Sequence, residues 1–244
     1  MDILYIAGGN DPMCERMLRY SLRSIDMFGK NVGKVYVSAE ERPSFLSDEA
    51  FFIPTPRRYP RKAKDIMAAI EFSIYSSSID DDFLYSSDDH FYIRPVDFDD
   101  YPFYMRGELP TECKDSDDHY LQHLVDTRRF LHECGLGVTD FSGHVNTHFN
   151  RDVFRKYIGA VHKSYDETPY GIEPTCFMVN AIDKERGVHG VMREDIKIAC
   201  ANTYDNIREI IKDAECFSVL SMTMNEAVGS FLQMTYPNKS RYEK

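Results

Sequence analysis

The stretch FLYSSDDHFYIRPVDF, residues 83–98, governs how the rest of the chain is read. Phe83, Leu84 and Tyr85 make a short apolar run suited to a buried strand, and it leads straight into Ser86-Ser87-Asp88-Asp89-His90. In an open α/β sheet, ligands bind outside the carboxyl ends of the strands, so carboxylates just past a buried strand sit where a substrate would. Asp and His side chains suit Mn²⁺ or Mg²⁺, and such a cation bridges the phosphates of a nucleotide donor. With a diphosphate leaving group, the cation offsets the charge that builds as the bond breaks. The opposing reading is a strand that merely ends in an Asp-rich turn. The run Asp80-Asp81-Asp82, just upstream, is read in that way.

Outward from this stretch the first half alternates strands and helices. Ile3 to Ile6 form a buried strand that ends at Gly8-Gly9, and Asp11-Pro12 reads as an N-cap with proline at the first helical position. Leu18, Leu22 and Ile25 then fall at helical spacing, with a stop near Gly29. Residues 34–38 and 51–54 read as further strands, and Ile66, Met67, Ile70 and Ile74 as the stripe of a second helix. This order predicts an α/β fold with a largely parallel sheet. Beyond residue 104 the pattern is less regular: helices over 117–132 and 151–162, strands over 143–149 and 216–220, and a last helical stripe through Met224, Ala227, Val228 and Phe231. No repeat, low-complexity tract or linker interrupts residues 1–244, which read as a single domain.

A formal net charge of −11 argues against nucleic acid or an anionic membrane as the main partner, because both are bound by neutralising phosphates. Hydrophobic residues make up 43% of the chain, enough to build a packed core. The six cysteines, at 14, 113, 134, 176, 200 and 216, form no C-x-x-C pair, so neither a zinc ribbon nor a redox motif is present. The start MDILYIAGGND does not read as a signal peptide, and no apolar run approaches the ~20 residues that span a bilayer. The expectation is a cytoplasmic protein with free thiols.

The blocks DILYIAGGNDP (2–12), LRYSLRSI (18–25), KVYVSAEERPSFL (34–46) and FLYSSDDHFYIRPVDF occur in the order of the conserved blocks of the Stealth-type transferases. The chain resembles that family, and the tail FLQMTYPNKSRYEK is similar to the ends of bacterial capsular-polysaccharide glycosyltransferases. The resemblance implies a GT-A-like, Rossmann-type nucleotide-diphospho-sugar transferase fold with a mostly parallel central sheet. It also implies a nucleotide-sugar donor, a divalent metal (Mn²⁺ or Mg²⁺) and a glycan or lipid-linked acceptor. Residues 1–103 would be the nucleotide-sugar-binding half and 104–244 the acceptor-binding half. Asp2, Gly8, Gly9, Asn10 and Asp11 would hold or border the nucleotide, and Arg19 and Arg23 would pack or reach toward it. Asp88 and Asp89 would be the acidic pair, Asp89 contacting the metal. His148, in NTHFNRDVF, is similar to a histidine that serves the family's active site. The chain departs from the family at Ser87, where Asn is usual, and at His90, where an apolar residue is usual. A sugar-1-phosphate transferase, a DNA-base glycosyltransferase and a non-catalytic nucleotide-sugar-binding protein are the rival readings.

Glu173, in YGIEPTCF, and Asp166 are candidates for the base that takes the acceptor hydroxyl's proton. His144 and His148 lie four apart on an expected strand and so share a face, which places one of them in contention for a catalytic or metal role. His119 and His123 have ligand-compatible helical spacing but lack the Glu of H-E-x-x-H. Arg57, Arg58, Arg61, Lys62 and Lys64 form a dense basic patch, read either as phosphate-binding or as a solvated helix start. Tyr92, Tyr101, Phe103 and Tyr104 are read either as a stacking surface or as packing.

Overall fold

The structure is a computed structural model and describes residues 1–8, 11–115, 118–199, 203–220 and 224–244. The chain opens with β1 (Asp2–Ile6), α1 (Pro12–Phe28), the short β2 (Gly29–Lys30), β3 (Val35–Ala39), β4 (Ala50–Pro54) and α2 (Lys62–Ser76). Next come β5 (Asp82–Ser87), β6 (His90–Tyr92), β7 (Val96–Asp97), β8 (Phe103–Met105) and α3 (His119–Glu133). β9 (Thr147–Asn150) leads into α4 (Arg151–Lys156), α5 (Ile158–Glu167) and α6 (Pro174–Arg186). The chain finishes with β10 (Gly190–Met192), β11 (Lys197–Ile198), α7 (Tyr204–Ile211), β12 (Cys216–Val219) and α8 (Glu226–Thr235).

The central sheet has the order β4-β3-β1-β5-β9. Its first four strands are mutually parallel, and β9 runs antiparallel to β5. After β1 the chain steps outward through β3 to β4, then returns to place β5 on the other side of β1. This reversal between β1 and β5 opens a crevice at their carboxyl ends. The local signals work as read: Asp11 caps α1 by accepting from the Met13 amide at 2.9 Å, and Pro12 occupies the first turn.

Alternation along the strands sorts the core into two faces. Ile3, Tyr5, Val35, Val37 and Leu84 pack against Leu18, Leu22 and Ile25 of α1. Leu4, Tyr36, Phe83 and Tyr85 pack on the other face against Met67, Ile70 and Ile74 of α2 and the apolar body of α6. Each fully buried Ile, Leu or Phe contributes about 1.5–3 kcal/mol through area removed from water. A second face of α1, carrying Met17 and Tyr20, packs with the three-stranded sheet β11-β12-β6 and with α7 and α8.

The tail is pinned to α1. Arg23 donates to both carboxylate oxygens of Glu243, at 2.7 and 2.8 Å, and to the Tyr236 carbonyl at 2.9 Å. The expected helix over 151–162 is two helices, α4 and α5, that meet at Tyr157. α6 was not foreseen, because every residue from Pro174 to Ile182 is buried and no amphipathic stripe marks it. Among the described residues no helix is long and apolar enough to cross a membrane.

Candidate active site

A cleft of about 810 Å³ lies over the carboxyl ends of the parallel strands. Its floor is made by Ile6, Ala7 and Gly8 after β1, Ser38 and Ala39 at the end of β3, and Ser87, Asp88 and Asp89 after β5. One wall is the segment Thr55–Ala63 leading into α2, and the opposite wall comes from His119, Tyr120 and His123 of α3 with Tyr170 and Glu173. His144, in the bend before the antiparallel strand β9, and Lys197 complete the lining.

Asp88 sits at the strand reversal, with 8% of its surface exposed. Its Oδ2 accepts from the Gly8 amide at 3.2 Å and its Oδ1 from the Ser87 hydroxyl at 3.4 Å, tying the β5 end to the β1 end. Burial, and then the neighbouring Asp89 charge, push the Asp88 carboxyl up to about 7. For Asp89 burial also acts upward, but His90 and His144 outweigh it and leave the group below the usual carboxylate range. The Asp89 Oδ1 atom is buried and has no hydrogen-bond partner, with His90 Nε2 no nearer than 3.6 Å. Burial lowers His90 to about 4, so this ring is neutral at physiological pH.

An ionised carboxylate with an unspent buried oxygen fits a divalent cation. Among the described residues no three His, Cys, Asp or Glu converge as a complete ligand set. A cation at Asp89 would therefore draw its remaining ligands from phosphate oxygens and water, as Mg²⁺ commonly does.

Glu173 precedes the first turn of α6 and faces the cleft. Its Oε2 lies 3.2 Å from His123 Nε2, and its Oε1 accepts from Thr175 Oγ1 at 3.2 Å. Burial raises its carboxyl, but His123 and Thr175 more than offset this and hold it below the usual range. His123 Nδ1 is 3.1 Å from the Gly171 carbonyl. His144 Nδ1 lies 3.0 Å from Asp195 Oδ2, and Lys197 Nζ lies 2.8 Å from His144 Nε2.

The structure thus brings together Gly8, Asp88, Asp89 and Glu173. Gly9 and Asn10 lie outside the described residues. Asp2, Asp11, Arg19, Arg23, His148 and Asp166 are not among the residues lining the cleft. Asp2 is at the opposite end of β1, where its carboxylate accepts from the Lys34 and Asp80 amides at 2.8 and 3.2 Å. Asp11 spends its side chain on the helix cap. Arg23 is held by Glu243, and Arg19 lies over the Phe45 ring at 4.7 Å. Asp166 is exposed on α5.

His148 lies within β9, whereas His144 lies in the bend that precedes the strand. His148 stacks on Phe103 at 4.1 Å and places Nε2 2.6 Å from the Tyr101 carbonyl, with burial lowering its pKa. Because β9 is antiparallel to β5, the segment before it, Ser142–Val145, and not the strand itself reaches the cleft. Of the basic patch, Arg57, Arg61 and Lys62 line the cleft, whereas Lys64 donates to the Tyr165 carbonyl at 2.6 Å. Tyr92 and Tyr101 are core residues joined by a 2.9 Å hydroxyl contact. Asp195 and Lys197 were missed; their alternation with Ile196 and Ile198 is a strand signal that places both on one face.

No protein-family model and no curated protein matches the chain. Solved structures do. The galactosyltransferase LgtC, in complex with donor and acceptor sugar analogues, superposes with a TM-score of 0.52 at 11% identity, over 99% of this chain and 98% of that one. An active-site mutant of LgtC gives a TM-score of 0.50 at 13% identity over the same shares. The apo glycosyltransferase GlyE of Streptococcus pneumoniae TIGR4 gives 0.49 at 11% identity, over 97% of this chain and 60% of that one. The chain has the fold of the GT-A glycosyltransferases, a mixed α/β fold with a mostly parallel central sheet. At such identities the likeness defines the fold, and chemistry has to be argued from the cleft.

Proposed function

We propose that the protein is a glycosyltransferase that moves a sugar from a nucleotide-diphosphate sugar to a glycan or lipid-linked acceptor, with a divalent cation at Asp89. The observation that carries this reading is the unpartnered, buried Oδ1 of an ionised Asp89 on the floor of the cleft. The cleft volume of about 810 Å³ lies within the range of small-molecule sites. When bound, the cation would neutralise charge on the departing diphosphate. Asp88 holds the β1 and β5 ends in register through Gly8, and so shapes the floor on which the donor lies. Arg57, Arg61, Lys62 and Lys197 supply positive charge around a site in a strongly acidic protein, as a pyrophosphate requires. Residues 1–103 supply the donor side of this cleft and residues from 104 onward the acceptor side.

A thermal-shift screen of UDP-, GDP-, CMP- and dTDP-sugars, with and without Mn²⁺, tests the reading on wild type and Asp89→Asn. Saturation at a hundred times the dissociation constant stabilises the fold by about 2.7 kcal/mol. The expected result is a shift with one nucleotide that needs Mn²⁺ and disappears in the variant. A shift of equal size in Asp89→Asn removes the cation from Asp89, and no shift with any donor removes the nucleotide-sugar reading. Product analysis separates the sugar-1-phosphate alternative, which would leave a phosphodiester linkage.

A further inference from the structure

We propose that His144 takes the proton from the acceptor hydroxyl, held in the required tautomer by Asp195 and masked by Lys197 until the donor is bound. The proposal rests on the transferase reading and names a catalytic group for it.

Four histidines among the described residues line the cleft: His90, His119, His123 and His144. The other three stand in different surroundings. His119 places Nδ1 3.1 Å from the Tyr170 hydroxyl and stacks on that ring at 5.3 Å. His123 directs its nitrogens at the Gly171 carbonyl and Glu173. His90 is 4% exposed, too deeply buried to receive an acceptor hydroxyl.

His144 is different. Its backbone amide donates to Asp195 Oδ1 at 2.9 Å, and its Nδ1 faces Asp195 Oδ2 at 3.0 Å. An ammonium has only donors, so the 2.8 Å contact from Lys197 Nζ requires a lone pair on Nε2. The ring proton is therefore on Nδ1, donated to Asp195, and a basic nitrogen faces the cleft. A carboxylate that orients an imidazole in this way also stabilises the imidazolium formed on proton uptake. Gly143 permits the approach: a Cβ there would stand 3.1 Å from Asp195 Oδ1. Arg106 Nη1, 3.7 Å from Asp195 Oδ2, favours the ionised carboxylate.

Lys197 supplies the ordering. It lines the cleft, and burial lowers its pKa against the opposing pull of Asp89 and Asp195. An incoming diphosphate is a stronger partner for an ammonium than a neutral imidazole is. The flexible lysine stem lets Nζ turn to the phosphate and leaves Nε2 open to a hydroxyl. Glu173 is the rival base: its Oε1 accepts from the Thr175 hydroxyl and its Oε2 lies 3.2 Å from His123 Nε2, with no flexible cation beside it to be drawn off by the donor. In the step itself, the acceptor oxygen bonds to the anomeric carbon as the bond from that carbon to the diphosphate oxygen breaks. The bonding pair leaves with the nucleoside diphosphate, and the hydroxyl proton passes to His144 Nε2. A base separate from the leaving group corresponds to direct displacement, so the product has the inverted configuration.

The test uses the full chain with UDP-, GDP- and dTDP-hexoses and pooled mono- and disaccharide acceptors, reading nucleoside diphosphate release and, by NMR, product configuration. His144→Ala is expected to lower kcat by about 10²–10⁴-fold while it keeps the donor-induced thermal shift. Added imidazole should restore part of the turnover, which a merely structural loss would not allow. His144→Gln, closer in size, gives the same reading if the alanine variant is unstable, and Asp195→Asn should lower kcat with little change in donor binding. Turnover of His144→Ala within about threefold of wild type, absence of imidazole rescue, or a retained configuration would each overturn the proposal. A collapse of kcat in Glu173→Gln with His144→Ala unaffected would move the base to Glu173. If wild type releases no nucleotide with any donor, the transferase reading itself fails, and the base with it.

Discussion

Replacing Glu243 with alanine should destabilise the protein and leave its cleft untouched. The Glu243 side chain is 1% exposed and that of Arg23 11% exposed, and the pair meets through two parallel charge-assisted hydrogen bonds of 2.7 and 2.8 Å. Glu243 Oε1 also accepts from the Ser240 amide and hydroxyl, at 3.0 and 3.2 Å. Removing the carboxylate strands a buried guanidinium, which costs about 3–5 kcal/mol. At about 2–4 °C per kcal/mol for a domain of this size, Tm should fall by about 6–20 °C. Differential scanning fluorimetry reads this directly. The double variant Glu243→Ala/Arg23→Met should recover part of the loss, because no unpaired charge is left buried.

The same pair carries a pH signature. Burial raises the Glu243 carboxyl, but the Arg23 and Ser240 hydrogen bonds outweigh this and depress it. The unfolded chain therefore binds the proton first as pH falls, so the stabilisation is present above the ordinary Glu value of about 4.3 and is lost below it. The Tm gap between wild type and variant should narrow toward acid pH. A gap under about 2 °C at neutral pH would refute the clamp argument. A lost donor-induced shift in Arg23→Met would return that arginine to the donor site.

Asp2→Ala should lower Tm, since it deprives the part-buried Lys34 and Asp80 amides of their acceptor at about 0.5–1.5 kcal/mol for each hydrogen bond lost. It should leave nucleotide-induced shifts intact, and an unchanged Tm with a lost shift would contradict the structural role. Asp88→Asn should raise Tm at pH 8 in EDTA and lose that advantage by pH 4. A carboxyl whose folded value is raised to about 7 binds its proton more tightly in the folded state, so wild type loses stability as pH climbs from the unfolded value through 7. A Tm difference independent of pH would show that the Asp88 carboxyl is not perturbed.

Much of the first half was legible because its signals are local. Asp11-Pro12 and Gly29 bracket α1, and Ile66, Met67, Ile70 and Ile74 mark the buried stripe of α2. The second half was less so. α6 carries nine consecutive buried residues, a pattern that periodicity cannot separate from a buried strand. Its real signal was Glu173-Pro174, a helix start with proline in the first turn. The aromatic run Tyr92–Tyr104 illustrates the converse, since residue type alone does not distinguish a stacking platform from core.

The placing of Asp88 and Asp89 at the carboxyl end of β5, on the cleft floor, followed from the chain alone, because carboxylates that follow a buried strand fall where the sheet meets its ligand. Which other residues join them could not be read in that way. His144 reaches the cleft and His148 does not because β9 enters the sheet antiparallel, and strand direction depends on contacts between residues more than fifty positions apart. Arg23 and Asp2, polar residues within promising blocks, are held by Glu243 and by the Lys34 and Asp80 amides for the same reason. A side chain's type states what it can bind, and only the folded neighbourhood supplies the partner that satisfies it.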